Sequence, residues 1–318
     1  MYQVQRPSHS ESVAVRDQLY HLRRWGQPVP GQAPLVLLHG WMDVSASWQF
    51  VVDALQTERC VVAPDWRGFG RTRARHLTDA PWPGPYGSAD HYAFVDYLAD
   101  LDGLLDHLNA QLGREANAPV DLVGHSMGGN VAMLYGGVRP QRVRRLVNLE
   151  GFGMPATRPS QAPGRYARWL DELKSLQTGA LALKPYPSRQ GVAQRLMKTN
   201  PRLSPERAEW LAGEWAAPDA QGQWHILGDA AHKVVNPLLY RVEEVLAVLA
   251  HIQAPVLAVE ASDDSLQAWF KGDYTLAQYH ERLQAVPQHR VALVNDAGHM
   301  LHHDQPQAVA RLLEDFLA

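Results

Sequence analysis

Six short, unbroken apolar runs punctuate the chain: Pro34–Gly40 (PLVLLHG), Cys60–Asp65 (CVVAPD), Pro119–His125 (PVDLVGH), Arg144–Gly151 (RRLVNLEG), Pro255–Ala261 (PVLAVEA) and Arg290–Asp296 (RVALVND). A strand covered on one face alternates apolar and polar positions, whereas a strand covered on both faces is apolar throughout. These runs therefore predict the strands of a buried parallel sheet. The stretch SVAVRDQLYHLRRWG before them alternates instead, which predicts one or two antiparallel edge strands. Helical spacing fills the intervals: SWQFVVDAL from Ser47, HYAFVDYLADLDGLLDHLNAQLG from His91, MGGNVAMLYGGV from Met127, and the closing QAVARLLEDFLA. Strand and helix alternate, so the fold class is α/β, with a mostly parallel central sheet flanked by helices.

One segment breaks the rhythm. From about 151 to 250 no buried-strand run occurs, only helical stretches interrupted by prolines and carrying Trp169, Trp210, Trp215 and Trp224. The expected organisation is a sheet domain made of residues 1–150 and 251–318, with a helical cap inserted at 151–250. The loop Asp79–Gly87 (DAPWPGPYG) is too rich in proline and aromatics to be a flexible linker.

Composition narrows the partners. The chain has 318 residues, 30 Lys and Arg against 33 Asp and Glu, and a net charge of −3 spread without long runs. No surface that gathers nucleic-acid phosphates or anionic lipid is expected. The single cysteine, Cys60, sits inside an apolar run and reads as a small buried hydrophobe, and one cysteine cannot form an intrachain disulfide. No run approaches the roughly 20 apolar residues of a membrane span, and the first residues lack a basic start followed by an apolar stretch. The expectation is a cytoplasmic protein acting on a small molecule.

Candidate chemistry centres on Gly124-His125-Ser126-Met127-Gly128. The G-x-S-x-G pattern arises readily by chance, but here it follows a predicted buried strand and opens a predicted helix. That context places a serine hydroxyl on a sharp turn above a sheet. Glycines at 124 and 128 fit such a turn, because side chains there would crowd the strand against the helix. A serine hydroxyl is a weak nucleophile unless a base takes its proton, so a histidine and a carboxylate are required. His299 stands just after the last predicted strand, and Asp263 and Asp264 stand after the strand before it; Asp264 is the preferred acid.

With these residues in order, the chain resembles the α/β-hydrolase superfamily, whose serine, acid, histidine order is met by Ser126, Asp264 and His299. LLHGW resembles the family's His-Gly-x segment, PDWRGFGRT its Asp-x-Arg-Gly-x-Gly loop, and GHMLHHDQP its last catalytic loop. The resemblance implies an oxyanion hole made by the backbone N–H groups of Trp41 and Met127. HGWMDVSASW and NLEGFG are similar to the serine-hydrolase-like branch. The family's acid commonly lies three residues after a glycine that closes its strand; Ala261 replaces that glycine here, so Asp263 stays open beside Asp264. Glu150, which ends the strand after the nucleophile's, is a further alternative acid, because some members draw the acid from that place. Members that form an alkyl-enzyme ester carry aspartate where this chain has Ser126, which argues against dehalogenase or epoxide-hydrolase chemistry.

The implied activity is acyl transfer on a small or medium carboxylic ester, with no cofactor. The same core resembles C–C bond hydrolases, aminopeptidases, lactonases and thioesterases, and slow-turnover ligand-binding receptors. The tryptophans of the insertion, with Trp269 and Phe270, are expected at an acyl pocket. His299, His302, His303 and Asp304 lack the spacing of a metal-binding motif, so no metal is expected, and Asp304 reads as the N-cap of the last helix.

Overall fold

The computed structural model describes residues 2–77 and 83–318; of the Asp79–Gly87 loop, residues 79–82 lie outside the described residues. The strands are β1 (His9–Val15), β2 (Gln18–Trp25), β3 (Leu35–Leu38), β4 (Val61–Pro64), β5 (Arg73–Ala74), β6 (Val120–His125), β7 (Val143–Leu149), β8 (Ala216–Pro218), β9 (Trp224–Ile226), β10 (Val256–Ala261) and β11 (His289–Val294). The helices are α1 (Gln49–Ala54), α2 (Phe94–Gln111), α3 (Met127–Val138), α4 (Ala162–Gln177), α5 (Arg189–Thr199), α6 (Pro205–Trp215), α7 (Val242–Leu249), α8 (Ser265–Phe270), α9 (Leu276–Leu283), α10 (Leu301–Asp304) and α11 (Pro306–Leu317).

The main sheet runs β1-β2-β4-β3-β6-β7-β10-β11, with β5 paired to β2. β1 and β2 form the expected antiparallel hairpin, and β2 meets β4 antiparallel. From β4 to β11 every pairing is parallel. Because side chains alternate along a strand, each buried run feeds two cores. Leu122 and Leu146 enter one, with Leu101, Leu104 and Leu105 of α2 and Val131 and Tyr135 of α3. Val123 and Val147 enter the other, with Val51 and Val52 of α1 and Val309, Leu313 and Phe316 of α11. Each fully buried aliphatic side chain contributes about 1.5–3 kcal/mol relative to exposure, so the continuous apolar runs hold the sheet between its helical layers.

β11 departs from the sequence reading. Its run was expected to be covered on both faces, but it is an edge strand, and Val291 and Leu293 are 46% and 58% exposed.

Between β7 and β10 lie α4, α5, α6, the antiparallel hairpin of β8 and β9, and α7. Ser188 caps α5 by accepting from Gly191 N–H, and Ser204 caps α6 ahead of Pro205, which fits the first helical turn. Val192, Ala193, Ala208, Leu211 and Ala212 of this helix pair bury against Val44, Ala46 and Phe50, fastening the inserted segment to the loop after β3. α4 has no buried residue. α7 packs against α3, bringing the Val248 carbonyl onto Gly137.

Candidate active site

Parallel strands deliver their carboxyl ends to one edge of the sheet, and the candidate residues follow from five of them, β3, β6, β7, β10 and β11. Ser126 joins β6 to α3 with φ 53° and ψ −115°, a conformation costly for any residue with a Cβ. Its surroundings hold it there. Ser126 N–H donates to Leu149 O of β7 (2.8 Å), and Ser126 O accepts from Asn130 N–H (3.0 Å), so one residue ends a sheet ladder and begins a helix. A methyl group at Gly124 would collide with the Gly128 carbonyl, and one at Gly128 with the carbonyls of Leu38 and His39. The glycines of the motif therefore let strand, helix and neighbouring loop close around the serine, which remains partly exposed.

His299 follows β11 on a loop tied in two places. Gly298 N–H donates to Asp304 Oδ2 (2.9 Å), and Asp304 Oδ1 accepts from Asn200 Nδ2 of the inserted segment (2.7 Å). Asp304 thus fastens this loop instead of capping the last helix, whose N-cap is Gln305. His125 Nε2 stands 2.8 Å from the His299 carbonyl, and the two rings are 4.7 Å apart. Among the described residues no hydrogen bond joins Ser126 Oγ to His299.

The carboxylate facing His299 is Glu150, not Asp264. His299 Nδ1 lies 3.3 Å from Glu150 Oε2. Glu150 has φ 56°, and its N–H donates to Val259 O of β10, so its side chain turns across that strand. There it accepts from Ala261 N–H (2.8 Å) and the Ser265 hydroxyl (2.7 Å). Asp264 is exposed and spends its carboxylate on Gln267 N–H as the N-cap of α8. Asp263 is also turned away, in a bridge to Arg202 of the inserted segment at 2.7 Å. In contrast to the preferred reading, Asp264 is placed away from His299 because it sits at the start of a helix, whose orphan N–H groups attract its carboxylate.

The residues expected as oxyanion donors flank the serine. Met127 is the first residue of α3, where N–H groups have no partner within the helix. Trp41, 53% exposed, follows Gly40, whose own Cβ, were there one, would touch Ser126 Cβ at 3.2 Å. His39 braces that turn. Its Nε2 accepts from Trp66 N–H (2.9 Å), which leaves the proton on Nδ1 to donate to Gly40 O (2.8 Å). Trp215 Nε1 donates to Met42 O (2.9 Å), coupling α6 to the same turn.

Burial disfavours charge throughout the site. It pushes His299 down to about 4 and Glu150 up to about 7, the latter opposed by the two donors that favour its ionised form. The aromatic lining differs from expectation. Trp269 stands edge-on to His299, with centroids 4.3 Å apart. Trp210 instead packs on Tyr2 and Phe50 at 5.5 and 5.7 Å, and Trp224 belongs with the helix-pair core.

Comparison with known proteins agrees with this architecture. The family model for the alpha/beta hydrolase fold matches residues 33–306. A serine hydrolase-like protein of Danio rerio is 26% identical over 296 residues, covering 92% of this chain and 83% of its own. The 2-hydroxy-6-oxo-2,4-heptadienoate hydrolase of Pseudomonas putida is 36% identical over 124 residues, 38% of each chain. Among solved structures, a thioesterase domain from the curacin biosynthetic pathway superposes with a TM-score of 0.77 at 23% identity, covering 97% of this chain and 99% of that one. The carboxylesterase CesB of Bacillus subtilis gives 0.61 at 20% identity, covering 99% and 93%. With its sheet order, its strand-to-helix serine and a family match across most of its length, the chain belongs to the alpha/beta hydrolase fold family.

Proposed function

We propose that this protein is a serine hydrolase that cleaves a small or medium carboxylic ester through an acyl-enzyme intermediate. The observation that carries the reading is the strained elbow at Ser126, on the same sheet edge as a His299 imidazole that is backed by the buried Glu150 carboxylate. Ser126 Oγ attacks the ester carbonyl as His299 takes its proton. His299 then returns the proton to the departing alcohol, and water repeats the sequence on the acyl-enzyme. The separation of Ser126 from His299 closes when substrate fills the site, as catalytic hydrogen bonds commonly do. Glu150 acts as a positioning residue: it holds the imidazole by Nδ1 and stabilises its charged form. The N–H groups of Trp41 and Met127 receive the oxyanion. No step calls for a cofactor or metal. Residues 151–250, as a cap over the site, supply selectivity.

A panel of p-nitrophenyl esters of rising acyl length, assayed with wild type and Ser126→Ala, tests the reading. Repeated turnover on short or medium esters, lost in Ser126→Ala, is expected. One slow, product-trapped event per chain favours a ligand-binding receptor instead. The local likeness to the P. putida hydrolase favours one further reading, cleavage of a carbon–carbon bond beside a ketone. Turnover of such a ketone with no ester turnover selects it.

A further inference from the structure

Behind the His299 loop, three buried polar side chains from distant parts of the chain converge. Asp43 follows the turn after β3, His125 ends β6, and His302 lies in α10; their ligand atoms are all within 4.8 Å of one another. All three are buried, His302 completely. Hydrogen bonding fixes which atoms are free. A carbonyl only accepts, so the bond from His125 Nε2 to His299 O puts the proton on Nε2 and leaves a lone pair on Nδ1. Among the described residues that Nδ1 has no partner, nor does Asp43 Oδ2, nor either ring nitrogen of His302. The other Asp43 oxygen is occupied by the Ser47 hydroxyl. Buried polar atoms are nearly always satisfied, so several orphans facing one another point to something that fits between them.

We propose that Asp43, His125 and His302 form a binding site for a divalent transition-metal ion of the zinc class. Two imidazole nitrogens and one carboxylate oxygen are the borderline donor set that suits Zn²⁺, Ni²⁺ or Cu²⁺, whereas Mg²⁺ and Ca²⁺ take oxygen ligands. Donors about 2.1 Å from a tetrahedral ion stand about 3.4 Å apart. His302 Nε2 and Asp43 Oδ2 are 4.0 Å apart and no pair exceeds 4.8 Å, so a contraction of at most about 1.4 Å per pair seats an ion. The contraction draws on His125, which holds the His299 carbonyl, and on His302, three residues beyond His299. A bound ion thereby displaces the proposed base and slows turnover. The site itself does not depend on the ester-cleaving reading; only that effect on turnover does.

The test is direct binding. Chelator-stripped protein is titrated with Zn²⁺ against a chromophoric competitor, and in parallel with Co²⁺, whose visible absorption reports its ligands. The expected result is one equivalent of zinc bound in the micromolar range or tighter, and Co²⁺ bands of a four- or five-coordinate nitrogen and oxygen site. His302→Gln and Asp43→Asn each weaken binding at least about tenfold. His299→Ala retains the full equivalent, which separates this site from the His299–Glu150 pair. Circular dichroism verifies folding, and if one variant unfolds, the other together with the wild-type Co²⁺ spectrum decides. Folded wild type that binds no zinc below about 0.1 mM, or binding undiminished by both substitutions, overturns the proposal and leaves ordered water as the occupant.

Discussion

At the scale of single residues, Glu150 and Asp264 separate most clearly. Glu150 faces His299 from a buried, doubly bonded position, while Asp264 caps a helix in solvent. An amide at 150 leaves the imidazole without its charged partner and in the wrong tautomer, so Glu150→Gln is expected to lower kcat at least about a hundredfold. Asn caps a helix as well as Asp, so Asp264→Asn is expected to change kcat by less than about threefold. Steady-state kinetics on one ester checks both, and the reverse ranking refutes the assignment. The positions of Ser126 and His299 at the carboxyl edge of the sheet were legible in the sequence because each sits next to a recognisable strand end. Glu150 was visible only as an alternative. What selects it is a left-handed backbone at residue 150 and the register of β7 on β10, and an apolar pattern encodes neither. The Asp43, His125 and His302 group could not be read at all, since its members come from three separate segments.

At the scale of elements, the turn of β6 into α3 and the contacts of α6 carry the predictions. Gly128→Ala drives a methyl group into the carbonyls of Leu38 and His39, backbone atoms with no rotamer to escape by. A loss of at least about 2 kcal/mol in urea unfolding is expected, and a silent substitution would show that the packing is looser than described. The tryptophans of the inserted segment read from the sequence as pocket lining, because nothing in the composition tells a core aromatic from a site aromatic. Their neighbours divide the work. Trp210→Ala removes contacts with Tyr2 and Phe50 and is expected to cost about 2 kcal/mol of stability while leaving the order of preferred esters unchanged. Trp215→Phe loses the bond to Met42 O beside the Trp41 turn, and is expected to lower kcat on every ester in similar proportion. A change in acyl-length preference for Trp210→Ala in the same assay would put that ring at the pocket after all.

At the scale of the whole molecule, buried imidazoles set the response to acid. His39 and His299 are pushed down to about 4 and His232 to about 3, chiefly by burial. An unfolded imidazole titrates near 6.5. Between that value and 4 the unfolded chain takes up protons that the native chain does not. The stability these groups leave intact above pH 6.5 is therefore lost as pH falls, by up to about 2 kcal/mol each at pH 5. Glu150 and Asp43, both raised to about 7, oppose this, because the native chain binds their protons first as pH falls from 7; Asp229 and Glu260 are shifted in the same direction. His303, pushed down to about 3, and His125 and His302, lowered by burial, join the imidazole side, which outweighs the carboxylates. Calorimetry with a chelator present is expected to show Tm lower at pH 5 than at pH 7 by roughly 3 °C or more, and a flat or rising Tm would contradict the account.

If Ser126 is a nucleophile activated by His299, covalent mapping will locate it. Folded protein is treated with a fluorophosphonate, which reacts quickly only with a serine hydroxyl that has both a neighbouring base and an oxyanion hole, and the adduct is located by peptide mass spectrometry. One adduct per chain on Ser126, slowed at least about a hundredfold in His299→Ala, is the expected result. An adduct on another residue, or a folded wild-type chain that takes up none, would contradict it.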